Sequence, residues 1–100
     1  MAYKIIVSKL FQKNSIALNS YLQAEWGTAV ATEFHETLIQ IVLTIANQPG
    51  IGSFSKKKKD VRKILITKHN RLYYRVKHKT ITLLILFDTR RQPKRNRYEQ

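Results

Sequence analysis

The chain has no cysteine, only two prolines and three glycines, and just six acidic residues among 100. Without cysteine there are no disulfides and no thiolate metal sites, which suits a reducing cytoplasm. Two of the glycines fall in "PGIGS", where lysines rather than a helix follow, so no phosphate-cradling loop is present. The longest apolar run is "LLILF", far below the ~18 residues of a membrane span. The apolar part of "MAYKIIVSKLF" is too short for the core of a signal peptide. These absences lead us to expect a soluble cytoplasmic protein with no membrane partner.

The shortage of acids also narrows the chemistry. Asp60 and Asp88 are the only carboxylates between residues 51 and 98, so a catalytic carboxylate pair has little to draw on. His35, His69 and His78 lack the local spacing of a metal motif. We therefore expect no metal and no cofactor.

What is abundant is positive charge, and it is unevenly placed. Residues 1–50 carry Lys4, Lys9 and Lys13 against Glu25, Glu33 and Glu36, and 3 − 3 leaves zero. Residues 51–100 hold the other 16 basic groups against three acids, and 16 − 3 gives the whole net charge of +13. A half-chain excess of this size points to a polyanionic partner.

Periodicity supplies the architecture. "YKIIVS" reads as a strand, and Lys9–Trp26 as a helix with Phe11, Leu18, Leu22 and Trp26 on one face. Ser8 is its expected cap and Gly27 its end. Thr28 should cap a second helix reaching Asn47, with Val30, Phe34, Leu38, Ile41 and Ile45 aligned. "NQPGIGS" is a turn. Three strands follow: "VRKILIT" (61–67), "RLYYRVK" (71–77) and "TITLLILFD" (80–88). In the second, Leu72, Tyr74 and Val76 face one way and Arg71, Tyr73 and Arg75 the other, which leaves Tyr73 exposed. In the third, Ile81, Leu83, Ile85 and Phe87 oppose Leu84 and Leu86. The order βααβββ predicts an α+β fold, a long antiparallel helical hairpin on one face of a small, mainly antiparallel sheet. Residues 1–94 form one domain, and 95–100 a basic, flexible tail.

The candidate site is a cationic and aromatic cluster on the sheet. Arg71, Tyr73 and Arg75 share a face, with Arg62 and Lys63 on the neighbouring strand and Arg90 and Arg91 just past the last one. Lys94, Arg95 and Tyr98 extend it along the tail. Arginine forks bind phosphate oxygens, tyrosine rings stack on bases, and Arg or Lys can stabilise charge on a phosphate undergoing cleavage. The run Lys56–Lys59 reads as a solvated loop.

"EWG" at 25–27, "KHNRLYYRV" at 68–76 and "FDTRRQP" at 87–93, set in the βααβββ order, resemble the RelE/ParE superfamily of toxins from bacterial toxin–antitoxin modules. The resemblance implies a small toxin held silent by a cognate antitoxin with an acidic or amphipathic segment. It also implies one of two targets, DNA gyrase for ParE-like members or mRNA on the ribosome for RelE-like ones, with a homologue that is no longer toxic as the third alternative. Under the RelE-like reading the catalytic residues are Arg62, Lys63, Arg71 and Arg91. Position 64 is isoleucine where that pattern has a second lysine or arginine, and its C-terminal tyrosine falls one residue before Tyr98. The long hairpin and the "FDTRRQP" ending incline the resemblance to ParE-like toxins.

Overall fold

The computed structural model describes residues 2–89 and Tyr98. The elements are β1 (Lys4–Val7), α1 (Lys9–Trp26), α2 (Thr28–Asn47), a single 3-10 turn (Pro49–Ile51), β2 (Ser53–Phe54), β3 (Val61–Thr67), β4 (Asn70–Lys77) and β5 (Thr80–Asp88). They form one sheet of order β1-β5-β4-β3-β2, antiparallel except for the parallel β1–β5 pair. Both helices pack on one face, as expected. The two-residue strand β2 was not anticipated, because its exposed Phe54 and small neighbours carry no alternation.

Ser8 begins α1 and ties it to the sheet. Its Oγ accepts from Phe11 N–H (3.0 Å) and donates to the carbonyl of Leu84 (2.8 Å). At the other end Gly27 takes φ 91°, a region costly for residues with a Cβ, and by itself joins the two helices. Gly27, not Thr28, is therefore the N-cap residue of α2, and Thr28 makes no cap bond. By length and composition alone α2 could cross a membrane. Here Ala31, Leu38 and Ile45 are buried against the sheet.

The main core joins Phe11, Leu18, Leu22, Ala31, Leu38 and Ile45 of the helices to Ile66, Leu72, Tyr74, Ile81, Leu83 and Leu86 of the strands. Two expected members, Trp26 and Val30, are exposed instead. They lie at the closed end of the hairpin, beyond the cover of the sheet.

β4 alternates as its sequence predicts, but β5 does not. Tyr73 pairs with Ile85 and Tyr74 with Leu83, so Leu84 is an extra residue, a β-bulge. Beyond it every side chain changes face. Leu86 joins Ile81 and Leu83 on the helix side, while Leu84, Ile85 and Phe87 turn to the far side. Helix α1 meets the polar groups around this irregularity. Besides Ser8, Asn14 Oδ1 accepts from Leu86 N–H (3.1 Å).

The far face is thereby a second, smaller core of Val61, Tyr73, Ile85 and Tyr98, flanked by Leu84 and Phe87. Tyr73 has no exposed surface at all. Its face was assigned correctly from the alternation, but its exposure was not.

Candidate functional site

The far face is built in cross-strand rows. Lys63 of β3 lies beside Tyr73 of β4 and Ile85 of β5, and the next row is Leu65, Arg71 and Phe87. Tyr98 covers the first row. Its ring stacks on Tyr73 with centroids 5.4 Å apart and planes inclined by 23°. Its carbonyl accepts from Lys57 N–H at 3.2 Å. Tyr98 is 7% exposed, where the sequence suggested a free tail.

That hydrogen bond reaches into the lysine run, which is shaped rather than loose. Ser55 is buried, and its Oγ donates to the carbonyl of Lys58 (2.9 Å) while accepting from Lys58 N–H (3.1 Å). Ser55 N–H reaches Val61 O at 2.9 Å and Val61 N–H returns to Lys58 O at 3.3 Å. Lys56, Lys57, Lys58 and Lys59 are all exposed beside the tyrosine pair. Anions approaching this edge meet the positive charge of the four lysines.

The arginines are divided. Arg71 is half-buried between Leu65 and Phe87, and its guanidinium has no hydrogen-bond or ion-pair partner among the described residues. Arg75 is paired with Asp60 at 2.8 Å. With both side chains more than a third exposed, that bridge adds little stability but occupies the guanidinium.

Arg62 is not part of the cluster. It lies on the opposite side of β3 from Lys63, and one guanidinium nitrogen donates to the carbonyls of Gly52 (2.7 Å) and Gly50 (3.3 Å). The guanidinium carbon sits 3.9 Å from the centre of the Phe54 ring. Alternation places neighbours in a strand on opposite faces, so Arg62 and Lys63 could not both join Arg71. Arg90, Arg91, Lys94 and Arg95 lie outside the described residues.

Sequence reasoning missed a buried polar lock beside Arg62. The Tyr74 hydroxyl donates to Pro49 O at 2.7 Å and accepts from Gly52 N–H at 3.0 Å, fastening the segment after α2 to the centre of the sheet. Burial raises the Tyr74 pKa above that of a free phenol, opposed in part by the Gly52 N–H and by the Arg62 charge. The only signal in the sequence was the glycine. A Cβ at Gly52 would lie 2.6 Å from the Tyr74 hydroxyl and 2.8 Å from Lys63 O.

A likeness to known proteins now joins this geometry. Residues 5–93 match the ParE toxin of the type II toxin–antitoxin system parDE. The fold is similar to a chain of the chromosomal ParDE system from P. aeruginosa, with TM-score 0.73, 15% identity, and 87% of this chain and 96% of that one covered. A copper-bound mutant toxin from Helicobacter pylori aligns with TM-score 0.65 and 21% identity, over 90% of this chain and 98% of that one. The YoeB dimer from Staphylococcus aureus follows at TM-score 0.59 and 13% identity, covering 87% and 97%. Among curated proteins no sequence matches. At these identities the structural likenesses speak to the fold, and the family match supplies the rest. The chain belongs to the ParE toxin family of type II toxin–antitoxin systems.

Proposed function

We propose that this toxin acts in the cytoplasm by binding DNA gyrase, without chemistry of its own, and that a cognate antitoxin silences it. The observation that carries this reading is the fate of Arg62. A guanidinium that bonds two glycine carbonyls and covers Phe54 serves the scaffold, and it points away from Arg71. Position 64, where a nuclease of the superfamily would carry a second cation, is an isoleucine packed against the main core. Of the four residues the nuclease reading requires, only Lys63 and Arg71 share the described far face. Two cations beside an apolar and aromatic floor suit a protein or DNA surface better than an in-line cleavage site.

A cognate antitoxin is the partner that the family and the charge imply. An acidic or amphipathic segment laid along the far face would neutralise part of the +13 while covering the exposed Leu65.

A second reading has one observation in its favour. Tyr98 is brought onto the same face as Lys63 and Arg71, and a RelE-like toxin would place a tyrosine there. Primer extension on mRNA translated in the presence of the purified toxin separates the two. The gyrase reading predicts no toxin-dependent stops, whereas stops lost with Arg71→Ala would make the protein a ribosome-dependent nuclease.

A further inference from the structure

The closed end of the helical hairpin carries a cleft that the far-face site does not use. It has a volume of about 290 Å³ and is lined by Leu22 and Trp26 of α1, Val30, Glu33 and Phe34 of α2, and the β3–β4 turn around His69. That volume is near the lower end of small-molecule sites, about 300–1,000 Å³, and fits a single side chain.

Its helical wall is acidic, unlike the rest of the protein. Residues 14–55 contain none of the 19 lysines and arginines but include Glu25, Glu33 and Glu36, so 0 − 3 gives −3 in a chain of +13. Glu33 is exposed, lines the cleft and has no ion-pair partner among the described residues. Lys68 and Arg71 each adjoin the β3–β4 lining in sequence, but neither lines the cleft. The rim is an indole that is 63% exposed, together with the exposed Val30. Packing does not account for an open tryptophan here, since neither helix nor sheet covers it.

We infer that this cleft binds an arginine side chain presented by a protein partner. The methylene stem would lie along Leu22, Val30 and Phe34. The guanidinium would stack on the Trp26 face and pair with the Glu33 carboxylate, two interactions for which a planar cation is suited. A carboxylate ligand would be repelled by Glu33, and a neutral apolar one would leave that charge beside it without compensation. The inference stands whichever target the far face serves.

Trp26 is the only tryptophan in the chain, so its fluorescence reports on the cleft directly. The purified whole chain is titrated with N-acetyl-L-arginine methylamide and, in parallel, with the citrulline analogue, which has nearly the same shape and no charge. We expect a saturable change for arginine with Kd on the order of 1–10 mM, as befits so small a ligand, and binding of citrulline at least ~5-fold weaker. Glu33→Gln should weaken arginine binding by a similar ~5-fold, while Glu36→Gln, which removes an equal charge outside the lining, should not. Equal binding of the two probes, an equal effect of the two Glu→Gln changes, or no saturable response up to ~50 mM arginine probe would each overturn the proposal.

Discussion

Tyr98 stacks on Tyr73 across the far face of the sheet, and the pair closes a second hydrophobic core that also holds Val61 and Ile85. The consequence is energetic. Tyr73→Ala should cost about 3–5 kcal/mol, in the range for removing a fully buried aromatic side chain. Arg71→Ala, whose guanidinium has no hydrogen-bond or ion-pair partner among the described residues, should change stability by less than about 1 kcal/mol. Urea melts check both, and a loss under about 1 kcal/mol for Tyr73→Ala would mean that the far face is not a core.

How far the sequence could be read depends on where interactions are local. Both helices are bounded by residues that act within a few positions, Ser8 and Gly27, and were legible. The assignment of Leu72, Tyr74 and Val76 to one face was legible too, because β4 alternates without interruption. The bulge at Leu84 was not, since an all-apolar strand has no alternation to break, and with it went the facing of Ile85, Leu86 and Phe87. Tyr73 looked exposed because its cover comes from residue 98, twenty-five positions away. The cationic cluster was half legible. Counting charges located Lys63 and Arg71, but only the geometry shows that Arg62 is committed to the carbonyls of Gly50 and Gly52.

The lock between Tyr74 and Gly52 should respond to either partner. Tyr74→Phe leaves Gly52 N–H and Pro49 O without their buried partner, at a cost of about 1–3 kcal/mol. Gly52→Ala drives a methyl into the Tyr74 hydroxyl and Lys63 O, and overpacking of this kind costs about 1–3 kcal/mol. Because both changes strike one contact, the double variant should be less destabilised than the sum of the two. Strict additivity in denaturant melts would show that the hydroxyl and the glycine are not coupled.

The same tyrosine predicts a pH effect. Its pKa is raised in the folded chain by burial, so the folded state holds its proton more tightly than the unfolded state does. The stability this contributes is complete below the ordinary phenol value near 10 and is lost as pH rises through the folded value. The test that isolates this hydroxyl compares the wild-type chain with Tyr74→Phe between about pH 9 and 11. The gap between their melting temperatures should narrow as pH rises, and a gap that widens would reverse the sign.

Ser8 should be costly to replace. Its hydroxyl satisfies Phe11 N–H at the start of α1 and the Leu84 carbonyl at the bulge. Ser8→Ala is expected to lose about 1–2 kcal/mol, the upper part of the range for an N-cap. Ser8→Gly, which usually costs a cap only a few tenths of a kcal/mol, should here lose nearly as much as alanine because the Leu84 bond is lost in either case. Thermal melts that leave the glycine variant near wild type would indicate that the bond to the bulge carries no weight.

Gyrase as the target is tested most directly by trapping of the gyrase–DNA cleavage complex by the purified toxin. With relaxed plasmid, ATP and gyrase, a gyrase-binding toxin should inhibit supercoiling and leave linear DNA after protein removal, and both effects should be reduced by Arg71→Ala in a variant that still melts like wild type. Gyrase that supercoils normally and yields no linear DNA at a molar excess of folded toxin would contradict it.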